Sequence, residues 1–383
     1  MYKICAITTI QGTMEWFVVD SMQLLSENGY DVTLICNMDS YFKKKHSAFA
    51  KCISLPMKRG TSFSNLISTT IQMIKIFRKE KYDVLYYTSP NASLAAAFAG
   101  KFCGVKKRIY NQWGIRYITM QGWKRKVFKT VEKLTCIMST HIREASPMNM
   151  QLAIDEGLCK KGKIRVRGIG GTTGVELAAC DIFDRQEERN RLRREYGIPD
   201  DAFVYGYVGR INADKGINEL IDSFEQVKAV KDNCWLVLVG MLDDANPISD
   251  KNMKTAKTDK RIVLTGNVPS DMVYKYMSIF DVLTHPTYRE GFGKVLQEAM
   301  GMRLPIITTD VIGPKEVVED GVSGILVKDH DTQALKKQMI NLYDNPELRE
   351  RLAINGRKRA EKYFDRPIML RHILEDTNMI MNE

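Results

Sequence analysis

The sequence predicts an α/β protein built from two Rossmann-like, doubly wound domains. Three observations lead there. Short β-branched, apolar runs alternate with segments of helical period along both halves of the chain. The alternation starts again after a glycine-rich stretch at 168–176. The 383 residues are enough for two cores of ordinary size. Strands linked through helical crossovers form parallel sheets covered on both faces.

Taken in order, Ile4–Ile10 is β-branched and apolar and reads as a buried parallel strand. Met14–Asn28 reads as a helix with Trp16, Val19, Met22 and Leu25 facing inward and Gly29 as its stop. Asp31–Cys36 is a second strand. Phe63–Lys79 is a helix, because Phe63, Leu66, Ile67, Ile71, Ile74 and Phe77 recur at helical spacing. Asp83–Thr88 is a strand, Ala92–Phe102 a small-residue helix and Arg108–Gln112 another strand. Ile164–Val166 is a further short strand, and the loop Gly168–Glu176 reads as a hinge. Beyond it, Arg185–Arg194 is a charge-dense surface helix. Strands follow at Val204–Val208, Leu236–Val239, Ile262–Leu264, Val282–Thr284 and Pro305–Thr309, separated by helices at Ile217–Ala229, Asp271–Ile279, Val295–Met300 and Pro314–Val318. Pro346–Glu383 reads as helical and suited to crossing back to the first domain. The expected division is 1–168, 169–358 and a returning helix at 359–383.

Composition excludes several classes. Hydrophobic residues at 44% and charged residues at 27% are globular values. Eight scattered cysteines, without a Cys-x-x-Cys pair or an apolar leader, read as reduced thiols of a cytosolic protein. No apolar run approaches the roughly 20 residues that span a bilayer. Neither half carries G-x-G-x-x-G after its first strand, so a nicotinamide cofactor lacks support.

The charge is lopsided. Residues 1–180 carry 27 Lys and Arg against 12 Asp and Glu, a balance of +15, which leaves −4 for the remainder of a chain at +11. A basic half implies an anionic partner. Nucleic acid is disfavoured, because aromatic-interleaved ribonucleoprotein motifs and zinc spacings are missing. Trp123–Leu134 favours a membrane surface: Trp123, Val127, Val131 and Leu134 share a helical face, ringed by Lys124, Arg125, Lys126, Lys129 and Lys133. Lys43-Lys44-Lys45 and Lys106-Lys107-Arg108 add charge in the same half.

Two segments carry chemistry. Glu290 and Glu298 flank a glycine-rich turn that runs into a helix. Backbone N–H groups at a helix start attract phosphate. Two carboxylates about 12 Å apart, if the span is helical throughout, suit the two hydroxyl-rich ends of a sugar nucleotide. Arg210 and Lys215, beyond the strand Val204–Val208, offer a planar grip and a point charge for the diphosphate between them.

Together, Gly209-Arg210-x4-Lys215-Gly216, Gly266-Asn267-Val268 and Glu290-Gly291-Phe292-Gly293-x4-Glu298 resemble the signature of glycosyltransferase family 4. Thr309–Glu316 and Asp320–Val327 also match that family, and the similarity covers most of 165–365. It implies a retaining enzyme of the GT-B fold, with two Rossmann-like domains facing a central cleft. The first would bind the acceptor and the second the nucleotide-sugar. The loop at 168–176 is most similar to bacterial enzymes that extend undecaprenyl-diphosphate-linked sugars for capsule or O-antigen.

The resemblance implies roles residue by residue. Arg210 and Lys215, with Gly209, would bind the donor diphosphate, and Glu290 the donor sugar. Glu298 would take the ribose hydroxyls. Gly291, Phe292, Gly293, Lys294 and Val295 would present backbone amides, and Asn267 and Val268 would lie by the nucleobase. A loop at Thr9–Thr13, with Gln11 and Gly12, would close over the phosphates and help admit the acceptor. The usual first-domain His-Gly pair is missing. Asn111-Gln112-Trp113-Gly114-Ile115-Arg116 stands there, which leaves Trp113 and Arg116 for acceptor placement. His141 reads as structural. Asp329-His330-Asp331 reads as an ordinary loop, and no metal or other cofactor is expected. The implied activity is hexosyl or N-acetylhexosaminyl transfer from a nucleotide-sugar, most often a UDP-sugar, to a lipid-linked glycan at the inner face of the cell membrane. A non-catalytic GT-B subunit and a sugar-nucleotide epimerase are the alternatives, and the oligomeric state stays open.

Overall fold

The computed structural model describes residues 1–57 and 63–383. They divide into a first unit, Met1–Thr173 with Pro367–Glu383, and a second, Gly174–Arg366. The division falls inside the glycine-rich loop. It differs from the expected segment limits because the helix Pro346–Tyr363 packs on the helix Lys294–Gly301 of the second unit. Only from Pro367 does the chain belong to the first.

The first unit holds strands β1 (Lys3–Ile10), β2 (Asp31–Asn37), β3 (Ala50–Ser54), β4 (Val84–Tyr87), β5 (Lys107–Gln112), β6 (His141–Glu144) and β7 (Ile164–Val166). Their order is β3-β2-β1-β4-β5-β6-β7, and the pairings are parallel. The second holds β8 (Phe203–Val208), β9 (Cys234–Val239), β10 (Ile262–Gly266), β11 (Val282–His285), β12 (Ile306–Thr309) and β13 (Ile325–Val327). Their order is β10-β9-β8-β11-β12-β13, again parallel. Each sheet thus reverses between its own first and fourth strands, the doubly wound pattern. Central strands are covered on both faces: Ile4, Cys5, Ala6 and Ile7 of β1, and Leu236, Val237 and Leu238 of β9, are fully buried. Full burial of a large aliphatic side chain stabilises by about 1.5–3 kcal/mol.

The helix expected at Met14–Asn28 is two, Gln11–Phe17 and Val19–Glu27. Val18 leaves the helical region (φ −130°, ψ −40°). The break keeps Val18, Val19, Met22 and Leu25 in the core, while the change of phase turns Trp16 outward. The helix expected across Pro346–Glu383 is also two, Pro346–Tyr363 and Arg366–Asn382. The interruption has a partner. Val175 N–H donates to the Phe364 carbonyl (2.8 Å) and Arg366 N–H to the Val175 carbonyl (2.9 Å). Strands β3, β6 and β13 and the helices Ser40–His46, Pro147–Asp155, Asp250–Thr258 and Thr332–Asp344 were not expected.

The final helix is anchored within the first unit. Asp376 accepts from Arg143 Nε (2.8 Å) and from Arg167 Nε (2.8 Å), and Tyr30 donates to Asn378 (2.7 Å). All eight cysteines are free thiols. Among the described residues no helix is long and apolar enough to cross a membrane.

Candidate active site

The second sheet reverses between β8 and β11, and ligands of open α/β sheets sit beyond the carboxyl ends of strands at such a point. Two turns occupy it, 209–216 after β8 and 286–293 after β11. They are fastened to one another. Tyr288 N–H donates to the Asp214 carbonyl (3.0 Å), the Arg289 guanidinium pairs with the Asp214 carboxylate (3.0 Å), and Lys215 is ion-paired to Glu290. Gly216 has φ +68°, and a Cβ on it would lie 1.9 Å from the Pro286 carbonyl oxygen. Only glycine allows both the left-handed turn and this approach.

Glu290 is the hub. Its Oε1 accepts from the Lys215 ammonium and lies 3.2 Å from Nε2 of His285. Its Oε2 has no hydrogen-bond partner among the described residues. Burial pushes the Glu290 carboxyl up, but the Lys215 charge and the His285 hydrogen bond outweigh it and hold the group far below the usual carboxylate range. For His285, burial favours the neutral ring over the imidazolium.

Arg210 differs from Lys215. Its side chain is 64% exposed and donates to Asp243 Oδ2 at 2.7 Å, whereas Lys215 is 15% exposed. Asn212 Nδ2 donates to the same Asp243 oxygen (3.0 Å), while Asn212 Oδ1 caps the turn by accepting from Lys215 N–H (3.1 Å). The Asn212 hydrogen bond first, then the Ala245 backbone N–H and the Arg210 charge, keep the Asp243 carboxyl low against its burial. Gly209 begins the turn, and its N–H donates to the Val239 carbonyl (2.9 Å).

The expected helical span from Glu290 to Glu298 is shorter than assumed. The helix is Lys294–Gly301, with Gly293 as its N-cap at φ +96°, so Glu290–Gly293 belong to the turn. Glu298 sits on this helix. Burial raises its pKa, against the lowering effect of Lys294 and Arg366. Lys294 Nζ lies 3.9 Å from Glu298. Gly291 is half-buried in the turn, and Lys294 and Val295 are half-buried at the start of the helix. Phe292 is in the core, edge-on to Phe364 with ring centroids 5.9 Å apart, so only its main chain faces the turn. At the end of β10, Asn267 is exposed and Val268 half-buried.

Residues expected on the first unit are distributed differently. The loop expected at Thr9–Thr13 does not form. Thr9 and Ile10 end β1 and the helix Gln11–Phe17 follows directly. Gln11 exchanges two hydrogen bonds with Asp39, both 2.8 Å, and Gly12 is half-buried in the first helical turn. Trp113 is half-buried against Phe17, with centroids 5.2 Å apart. Arg116 begins a 3-10 turn, Arg116–Thr119, and its side chain lies outside the described residues.

The basic helix is Gly122–Met138. Trp123, Lys124, Lys126, Val127 and Lys133 are exposed, as expected. Val131 and Leu134 are half-buried instead of sharing the outer face, in a helix that packs on the helix Pro90–Phe102. Arg125 and Lys129 turn to Glu156. His141 bonds Glu383 (2.8 Å). In the Asp329-His330-Asp331 stretch, His330 stacks on Tyr288 (3.8 Å) and Asp331 caps the helix Thr332–Asp344. Among the described residues no group of His, Cys, Asp and Glu is arranged to hold a metal ion.

His285, Asp214, Asn212 and Asp243 were missed. The one available signal for His285 was its place at the carboxyl end of a strand beside the switch point.

Two doubly wound units, the second with a cationic turn clasped to an acidic one at its switch point, define a glycosyltransferase of the GT-B fold. The family model described as "Glycosyl transferases group 1" matches residues 188–359, and "Glycosyl transferase 4-like" matches 3–144. The capsular polysaccharide biosynthesis glycosyltransferase CapM of Staphylococcus aureus is 32% identical over 363 residues, covering 94% of this chain and 93% of that one. The chain belongs to glycosyltransferase family 4. Among solved structures, HepE of Anabaena in complex with UDP and glucose matches with a TM-score of 0.81 at 18% identity, covering 99% of this chain and 100% of that one. WaaG, a glycosyltransferase involved in lipopolysaccharide biosynthesis, matches with a TM-score of 0.74 at 15% identity over 100% of both chains.

Proposed function

We propose that this glycosyltransferase moves a hexosyl or N-acetylhexosaminyl group from a UDP-sugar to a glycan carried on a lipid diphosphate, with retention, in bacterial surface polysaccharide synthesis. The observation that carries the reading is the clasp between the turns 209–216 and 286–293. It brings Lys215 beside the carboxylate of Glu290. An ammonium has three donors. Glu290 takes one, which leaves two for diphosphate oxygens, and Arg210 adds its planar fork at the solvent side. Glu290 Oε2 is the acceptor left for a sugar hydroxyl. Glu298, a buried carboxyl held back from ionising, gains hydrogen bonds when ribose hydroxyls arrive. The name of CapM supports the role in polysaccharide synthesis, and the UDP and glucose in the HepE complex support the UDP-sugar donor.

The chemistry follows from charge placement. The bond between the anomeric carbon and the phosphate oxygen breaks, and its electron pair leaves with the diphosphate. The acceptor oxygen bonds the same face of that carbon, and its proton passes to the departing phosphate oxygen. Arg210 and Lys215 stabilise the charge that develops there, the term that dominates such steps. The reading assigns no side-chain base, metal or other cofactor. Gly12 is assigned to the donor phosphates, and Gln11, Trp113 and Arg116 to the acceptor. The helix Gly122–Met138 is assigned to the anionic inner face of the membrane, where a lipid-borne acceptor is anchored.

A thermal-shift panel of sugar nucleotides tests the donor. A ligand at 100 times its Kd stabilises the native state by about 2.7 kcal/mol. Selective stabilisation by one UDP-sugar, followed by its transfer to a lipid-linked acceptor, is expected. A protein whose melting temperature ignores every sugar nucleotide at millimolar concentration overturns the reading.

A further inference from the structure

We infer that His285 is a positioning residue for Glu290: its ring fixes the carboxylate so that Oε1 is engaged and Oε2 faces the donor sugar. The inference rests on the sugar-binding role proposed for Glu290.

The geometry is closed on every side. His285 is the last residue of β11 and is 1% exposed. Its backbone carbonyl accepts from Thr308 Oγ1 (2.8 Å), which pins the strand end to β12. Its ring stacks on Tyr207 of β8, centroids 5.2 Å apart and planes 8° from parallel. Tyr207 in turn donates its hydroxyl to the Arg210 carbonyl (2.8 Å). The aromatic pair therefore ties the start of the 209–216 turn to the base of the 286–293 turn. The titratable and charged groups that face the ring are Glu290, Lys215 and Tyr207.

Hydrogen bonding fixes the tautomer. Nδ1 is buried with no partner among the described residues, while Nε2 is 3.2 Å from Glu290 Oε1. A carboxylate oxygen accepts, so the proton belongs on Nε2. Lysine alone is a point charge and leaves a carboxylate free to rotate between its two oxygens. A second donor on a stacked, immobile ring removes that freedom. Holding a binding group in one orientation is how supporting residues raise affinity and rate.

His285→Phe keeps a ring against Tyr207 and deletes the donor, and His285→Gln restores an N–H close to the Nε2 position. For His285→Phe we expect kcat/KM for the sugar nucleotide to fall about tenfold to a hundredfold, as loss of a hydrogen bond to a charged group does. Affinity for UDP alone should stay within about twofold in that variant, and His285→Gln should recover most of the loss. Equal losses for UDP and for the sugar nucleotide mean a merely structural role and overturn the inference. So does wild-type kcat/KM in His285→Phe. A second readout needs no activity. In protein labelled with 15N-histidine, the signal lost in His285→Gln should be a neutral ring protonated on Nε2, and an Nδ1-protonated ring overturns the inference. If the wild-type chain turns over no sugar nucleotide, the functional reading fails while the tautomer measurement still judges the geometry.

Discussion

Lys215, in the turn after β8, is ion-paired to Glu290, in the turn after β11, across 75 residues of sequence. Arg210, at the start of the same turn, makes its ion pair with Asp243 instead and stays largely in solvent. Two cations assigned to one diphosphate therefore have different structural duties.

That difference separates two alanine variants. Arg210→Ala and Lys215→Ala should each lower turnover about 10²-fold or more, as loss of one well-aimed charge donor does. Lys215→Ala should also lower stability, because it strips Glu290 of its main counter-charge, whereas Asp243 keeps its hydrogen bonds from Asn212 and the Ala245 N–H in Arg210→Ala. Urea midpoints beside steady-state rates check both. Turnover within a few fold of wild type in both variants removes them from the mechanism. Equal destabilisation would mean that the clasp does not depend on Lys215.

The two glutamates should respond to pH with opposite sign. Glu290 has a folded pKa below the unfolded value of about 4.3. Between those values the unfolded chain binds more protons, so stability rises with pH; the contribution is complete above about pH 5 and is lost as pH falls. Glu298 has a folded pKa above the unfolded value, so stability falls as pH climbs from about 4.3 through the folded pKa. Glu290→Gln should therefore destabilise the ligand-free protein at pH 7, with the deficit shrinking below about pH 4. Glu298→Gln should be neutral or stabilising at pH 7 and still weaken donor binding. A lower urea midpoint for Glu298→Gln at pH 7 contradicts this.

The sequence exposes what is locally repetitive and hides what is held by distant partners. β1 is legible because its residues are apolar and buried in an unbroken run. β6, with the sequence His-Ile-Arg-Glu, reads as polar surface, yet Arg143 is buried because Asp376 on the last helix pairs with it. No local pattern announces a partner so far along the chain. The break at Phe364-Asp365 is invisible for the same reason, since it depends on pairing with Val175. At the site, glycines and paired charges marked Arg210, Lys215, Glu290 and Glu298. A histidine at a strand end looks like any core residue until its ring is seen against Tyr207 and Glu290.

Glycine at 216 is a packing requirement as much as a conformational one. Gly197 has nearly the same φ (+67°), with open space for 4 Å around the place a Cβ would take, whereas a Cβ on Gly216 would meet the Pro286 carbonyl at 1.9 Å. Gly197→Ala should cost roughly 1–2 kcal/mol, the left-handed penalty alone. Gly216→Ala should cost more and pull the two turns apart, abolishing the response to sugar nucleotides. Matching melting temperatures and matching ligand responses in the two variants would refute the close approach.

Asp376 is predicted to be among the most sensitive positions of the first unit. It is 10% exposed and neutralises both Arg143 and Arg167. Burial raises its pKa, but the two guanidiniums prevail and hold it low. Removing one partner of a buried pair costs about 3–5 kcal/mol, since the other charge is left uncompensated. Asp376→Ala should lose about that much in urea unfolding and should open the segment Pro367–Glu383 to limited proteolysis. A loss under about 1 kcal/mol would mean that water already solvates the guanidiniums.

Membrane binding, if it uses the helix Gly122–Met138, must use only part of its charge. Arg125 and Lys129 are engaged with Glu156, whereas Lys124, Lys126 and Lys133 are exposed beside Trp123 and Val127. A basic residue near an anionic leaflet contributes about 1 kcal/mol. Reversing all three exposed lysines to glutamate should abolish sedimentation with anionic vesicles at low salt. Arg125→Ala with Lys129→Ala should leave sedimentation close to wild type and instead lower stability. Trp123→Ala should weaken binding in a way that salt does not mimic, because its term is burial in the interface and not charge. Binding that survives triple reversal would move the contact to another surface; no wild-type binding at low salt would end the membrane assignment and leave the basic half to the acceptor.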